Sequence, residues 1–277
     1  MYKMLAAFMI ACTQVTCLFG AEVTVTTALQ LTEAINDFAE NATETSKIIV
    51  SGTIQGNFSV PQTNHPIILK GKKGSNAALD GQQDGTVLLV NLGATVYVKH
   101  LTIKNGQNDS IKNGGGITNF GHMHLKDCIV TNCTSDTTNQ YATFFGGGIY
   151  NANKMDIRQC VVTLNSADHG GGIYNLNEMH ISDSDIRDNA LSPVPRYGYG
   201  AGIFNEGYMT VSKSNIHGNA SPNGFAGGVY TEGKMYIKDS NIFNNSALNN
   251  CGGIENDVYL NMDTCKIYNN TAGADGG

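Results

Sequence analysis

The 277-residue chain carries only 14% charged residues, 33 glycines and no tryptophan, a balance that argues against long solvent-facing helices while leaving ample apolar material for a continuous core. Its formal net charge of −6 lacks the basic footprint that nucleic acid or an anionic membrane surface would need. No stretch beyond residue 20 approaches the roughly 18 consecutive apolar residues of a membrane-spanning helix.

Residues 1–20, MYKMLAAFMIACTQVTCLFG, place Lys3 ahead of an apolar run over 5–11, followed by small and semi-polar residues before Ala21. That order is the layout of a secretory signal peptide and predicts export, with cleavage near Gly20 or Ala21. Losing Lys3 leaves the mature chain one unit more negative. Residues 21–46 predict a strand and then a helix. Over 28–39, Leu29, Leu31, Ala34, Ile35 and Phe38 fall near helical spacing behind Thr27, a candidate N-cap. Such a helix would cap the first coil of the strand-rich region downstream, whose bare strand edge would otherwise invite aggregation.

From residue 47 onward the chain predicts strands. KIIVSGTI from Lys47 and PIILKG from Pro66 are bounded by turn residues, and ALDG at Ala78 closes the next turn. A repeat then takes over. GGGITN begins at Gly114, GGGIYN at Gly146 and Gly170, GAGIFN at Gly200, AGGVYT at Ala226 and CGGIEN at Cys251. With the aliphatic residue of each as anchor (Ile117, Ile149, Ile173, Ile203, Val229, Ile254), columns recur at fixed offsets. Six residues on stand Met123, Met155, Met179, Met209, Met235 and Leu260; eight on stand Leu125, Ile157, Ile181, Val211, Ile237 and Met262. Eleven on are Cys128, Cys160, Ser184, Ser214, Ser240 and Cys265, and thirteen on a β-branched column from Val130 to Ile267. At sixteen come Cys133, Asn165, Asn189, Asn219, Asn245 and Asn270.

Apolar residues alternating at period two, separated by Gly and Asn, mark short strands that bury one face. None could bury it alone, but stacked coil on coil they can, with equivalent residues about 4.8 Å apart. The expected fold class is therefore all-β: a right-handed parallel β-helix solenoid over 47–277 with a short N-terminal capping helix. Roughly nine coils give a rod about 43 Å long. The coil register reaches back to about residue 90, and the sequence stops where the next GGGI would begin, which predicts further coils beyond Gly277.

The recurring GG-small-aliphatic motif, with IxxN at Ile186 to Asn189, Ile216 to Asn219, Ile242 to Asn245 and Ile267 to Asn270, resembles the polymorphic outer membrane protein repeat of right-handed parallel β-helix (pectin-lyase-like) proteins. That family's hallmark is GGAI followed by FxxN. Here the third residue is usually Gly, and Ile or Val replaces Phe. The resemblance covers about residues 45–277. It implies an exported, monomeric passenger displayed at the cell surface or outer membrane, adhesin-like, with a host or neighbouring-cell surface protein or glycan as partner.

Length variation falls between the last column and the next anchor, so the insertions should emerge on one face. The longest segments, 134–145 and 190–199, flank a short one at 166–169, predicting a notch. Tyr141, Phe144, Phe145, Arg196, Tyr197 and Tyr199 would form its walls, with Asp168 and His169 at its floor; aromatics and Arg dominate binding hot spots. The same aromatics could instead pack on the coil edge and hold the loops down. Tyr150, Tyr174, Phe204 and Tyr230 form a further outward column, expected to be structural. A lyase or hydrolase, the alternative this fold allows, would need clustered carboxylates. Asp127, Asp183 and Asp239 share an outward column, but Gln159 and Lys213 separate them. No catalytic set, metal site or cofactor is therefore expected. Cys128 and Cys160 stand in consecutive coils within disulfide range, which a disulfide and a buried thiol ladder both satisfy. His100, His122, His124, His180 and His217 look scattered and receive no role. Among the N-x-S/T sequons, Asn219 falls in the inward Asn column and should stay bare.

Overall fold

A computed structural model describes residues 21–108, 113–135, 143–192 and 198–276. They form a right-handed parallel β-helix in which four sheets of ten, nine, eight and seven strands run the length of one rod. One coil is spelled out by Lys154–Arg158, Val161–Thr163, Ser166–Ala167 and Ile173–Asn175, each strand pairing in parallel with its equivalents in the adjacent coils.

The register matches the sequence columns. Met155 pairs with Met179, Met179 with Met209 and Met209 with Met235, all fully buried. Val162 pairs with Ile186 and Ile186 with Ile216 inside the nine-stranded sheet. Truncating one such core side chain to Ala should cost about 2–5 kcal/mol, because a stacked ladder cannot collapse around the void without shifting whole coils.

Two corners of each coil turn through left-handed backbone. Asp127, Gln159, Asp183, Lys213, Asp239 and Thr264 form one such column with φ between +48° and +54°. Asn132, Leu164, Asp188, Gly218, Asn244 and Asn269 form the other, with φ between +54° and +65°. Asp, Asn and Gly tolerate this region better than other residues, which explains the recurrent Asp and Asn there better than chemistry does. The glycine triplets answer to a different constraint. At Gly172 a Cβ would lie 2.6 Å from the Gly202 carbonyl oxygen and 2.8 Å from Asn189 Nδ2, so the chain must come too close for any side chain.

Buried amides link the coils. Asn165, Asn189, Asn219 and Asn245 each donate from Nδ2 to the Oδ1 of the next member, at 2.9–3.0 Å. A second ladder lies beyond the columns of the repeat block, although its residues end every GGGIYN motif. Asn119, Asn151, Asn175 and Asn205 are fully buried and bonded in series at 2.7–3.0 Å, with Thr231 accepting the last bond. Asn219 is fully buried, as its column requires.

The helix α1, Ala28–Asn41, is capped by Thr27, whose hydroxyl accepts from the Gln30 amide at 3.3 Å. It buries Leu31, Ile35, Phe38 and Ala39. Leu29 departs from expectation and is 68% exposed: two residues from Leu31, it points to the opposite side of the helix. The strand Glu22–Val25 joins the ten-stranded sheet as its first rung, against Ser46–Val50, with Lys47 and Glu22 ion-paired.

Candidate functional site

Because strand residues alternate, each five-residue strand of the ten-stranded sheet from Thr95–Lys99 onward sends two side chains into the core columns and three outward. The outward set is where the chemistry gathers. It is found by taking the repeat at offsets five, seven and nine, instead of the six and eight that mark the core.

The outermost column is cationic. Lys70 pairs in register with Lys99, Lys99 with Lys126 and Lys126 with Arg158, four rungs about 4.8 Å apart. Like charges directly opposite on neighbouring strands repel. Among the described residues none of the four forms an ion pair with a carboxylate; Lys99 Nζ instead lies 5.7 Å from the Tyr97 ring centroid. At the Lys70 end, Lys72 and Lys73 line an adjoining hollow of about 640 Å³. Six of the chain's 17 Lys and Arg thus crowd one edge of an otherwise acidic protein.

Beside this ladder runs a groove of about 510 Å³ lined by Tyr97, Lys99, His124, Asp156, Arg158 and His180. His124 faces Asp156 in the next coil, and Asp156 faces His180 beyond it. The His124 Nδ1 lies 2.8 Å from Asp156 Oδ2, and His122 Nε2 lies 3.9 Å from the same oxygen. Burial holds the His124 imidazole below its ordinary value, the charges of His122, Lys154 and Lys99 add to this, and Asp156 opposes it. His180 bridges Thr210 Oγ1 at 2.8 Å and Glu178 Oε1 at 3.0 Å. Hydrogen bonds from Lys154 and His180 keep Glu178 below the usual carboxylate range, so Glu178 is poised as an anion and not as a general acid. Three of the histidines that look scattered along the chain, His122, His124 and His180, are therefore assembled on one face by the stacking.

Farther along the same face the outward residues turn aromatic. Tyr208, Tyr236 and Tyr259 run in series with ring centroids 5.7 and 5.4 Å apart, each 37–41% exposed. His180 meets Tyr208 edge-on at 6.0 Å. One continuous surface thus passes from lysines through histidines to open tyrosine rings.

The predicted notch presents a different picture. Phe145, His169, Tyr199 and Phe225 stack in one column, with centroids 5.4, 5.4 and 5.2 Å apart and planes within 19° of parallel. This column covers the outward Tyr150, Tyr174, Phe204 and Tyr230, all of which are buried. The two aromatic columns form a satellite core outside the coil wall. Phe144 is buried, and its backbone N–H donates to Asp168 Oδ2 at 3.0 Å, so Asp168 anchors the turn. Phe144, Phe145, His169 and Tyr199 thus pack along the coil edge, and Asp168 holds the turn beside them. Tyr141, Arg196 and Tyr197 lie outside the described residues. Tyr230 donates to Asp257 at 2.6 Å and Glu232 at 3.1 Å, and Tyr174 donates to Glu206, closing the outer edge of this cluster.

Cys128 and Cys160 are adjacent, buried and free, and Cys133, Cys251 and Cys265 are free as well. A hydrogen bond that the Cys128 thiol donates to Cys160, together with burial, pushes Cys128 well above its ordinary value, and burial pushes Cys133 up to about 12. Thiols so held are poor nucleophiles.

No family model matches the sequence, the repeat family it resembles included, and no curated protein matches it. Among solved structures, it is similar to a crystal structure of the pectin methylesterase from Aspergillus niger in penultimately deglycosylated form. The two are 12% identical, with a TM-score of 0.47, over 94% of this chain and 86% of that one.

Proposed function

We propose that the chain is an exported, surface-displayed β-helix acting as an adhesin-like binding scaffold, and that the outer face of the ten-stranded sheet holds an acidic glycan. The observation that carries this reading is the ladder Lys70, Lys99, Lys126, Arg158. Four cations are kept in mutual opposition, without carboxylate partners among the described residues, in a chain whose acids outnumber its bases by 23 to 17. An external anion would relieve that repulsion. Charges repeating at the coil rise suit a polymer with negative groups in regular series lying along the rod more than one small anion. The open rings of Tyr208, Tyr236 and Tyr259 extend the same track with apolar platforms of the kind that dominate binding surfaces. The signal-like residues 1–20 and the outer-membrane-protein-like repeat support export and display, and favour a surface glycan over an intracellular polyanion.

The test is retention on immobilised acidic polysaccharides, carboxylated and sulfated, against neutral ones and single-stranded DNA. The expected result is selective, salt-sensitive binding to an acidic polysaccharide, weakened at least tenfold in the Lys99→Gln, Lys126→Gln, Arg158→Gln triple variant. Equal or tighter binding to DNA would redirect the reading to nucleic acid. Reducing or unsaturated ends released from the polysaccharide would replace the scaffold with a lyase or hydrolase, and no binding at low salt would end the proposal.

A further inference from the structure

We propose that His122, His124 and Asp156 form a binding site for a first-row divalent transition-metal ion of the Zn²⁺ class. His122 and His124 stand two residues apart on one strand and project from the same face, and the next coil sets Asp156 opposite His124. Each residue offers a ligand atom, and these atoms all lie within 4.8 Å of one another. A tetrahedral ion at about 2.0–2.2 Å from each would hold them roughly 3.3 Å apart. Small side-chain rotations close the difference, since the carboxylate already lies 2.8 and 3.9 Å from the two imidazoles.

Three further features point the same way. The Nε2 atom of His122, the nitrogen that faces Asp156, is shielded from solvent without a hydrogen-bond partner, although buried polar atoms are normally satisfied. The His124 ring is held flat against Tyr97, centroids 4.4 Å apart and planes within 3°, which fixes the direction of its nitrogens. Lys154, two residues from Asp156 on the same strand, is paired with Glu178 at 2.9 Å.

The donor set selects the ion. Two imidazoles and one carboxylate suit Zn²⁺, Co²⁺, Ni²⁺ or Cu²⁺, whereas Ca²⁺ and Mg²⁺ demand more oxygen ligands than this cluster has. Three protein ligands leave a coordination position open toward the groove, and the site uses no member of the cationic ladder.

Zn²⁺ titration of the untagged full chain against a chromophoric chelator tests the site. The expected result is one ion per chain, micromolar or tighter, with Ca²⁺ unable to compete. His122→Ala, His124→Ala and Asp156→Asn should each weaken binding at least tenfold while keeping the β-rich circular dichroism of the parent. Lys126→Gln with Arg158→Gln should bind Zn²⁺ as the parent does, which separates this site from the glycan reading. In the unmutated chain Co²⁺ should give a visible band without thiolate charge transfer. Unchanged affinity in the His122→Ala, His124→Ala double variant would overturn the assignment. So would a thiolate signature with Co²⁺, or Ca²⁺ binding of equal strength.

Discussion

Asn189 and Asn219 sit one above the other in successive coils, and the Asn189 Nδ2 donates to Asn219 Oδ1 at 3.0 Å. The same Nδ2 also donates to the Val162 carbonyl at 3.0 Å, while Asn189 Oδ1 accepts from the Asn165 amide at 3.1 Å and side chain at 3.0 Å. One buried amide thus satisfies groups in the two coils that flank its own. Replacing it with Ala leaves several buried donors and acceptors without partners, each costing about 1–3 kcal/mol. Asn189→Ala should therefore destabilise the chain by at least about 3 kcal/mol, read as a shift in the urea unfolding midpoint. An exposed polar residue of the preceding coil, Lys154→Gln, should shift it far less.

Leu164 occupies a left-handed corner, φ +57°, and is 56% exposed. The equivalent positions in the next coils carry Asp188 and Gly218. A bulky residue there costs roughly 1–2 kcal/mol of backbone energy, and little burial offsets it. Leu164→Gly is expected to raise stability by about 1 kcal/mol despite glycine's greater freedom when unfolded. Thermal unfolding by circular dichroism checks this.

Tyr199 stacks between His169 and Phe225 and also packs on Phe204 and Tyr230. If this column is a satellite core, Tyr199→Ala should lower stability by about 2–3 kcal/mol. Retention on an acidic polysaccharide should be unchanged below the new melting temperature. A loss of retention without a loss of stability would return the ligand site to the loop face.

How much is legible in the sequence depends on which residues a rule can reach. Met155 over Met179 follows from a constant offset, since a solenoid stacks equal positions. The face formed by His122, His124, Asp156 and His180 does not, because its residues differ in type from coil to coil and no column of identity marks them. They become a site only when the register known for the inward Met and Ile is applied to the outward neighbours. The packing of Phe145, His169 and Tyr199 escapes for another reason. Period-two alternation tells inside from outside of the coil wall, but it cannot tell that a second layer will cover the outside.

Asp80 is buried, which alone would raise its carboxyl, yet hydrogen bonds from Asn105 and Gln82 and the ammonium of Lys104 at 3.3 Å hold it below its ordinary 3.8. A carboxyl depressed on folding contributes stability that is fully present above the unfolded value and lost as pH falls through the folded one. Asp80→Asn should thus cost about 2 kcal/mol at pH 7, and the gap to the parent should narrow at pH 3. Urea unfolding at the two pH values reads both.

The proposed glycan track is tested most directly by a lysine acetylation footprint with and without a saturating acidic polysaccharide, read residue by residue by mass spectrometry. Lys70, Lys99 and Lys126 should be strongly protected, while Lys104 and Lys266, on the nine-stranded sheet, react as before. Uniform protection, or protection confined to lysines outside the ladder, would contradict the assignment of this face.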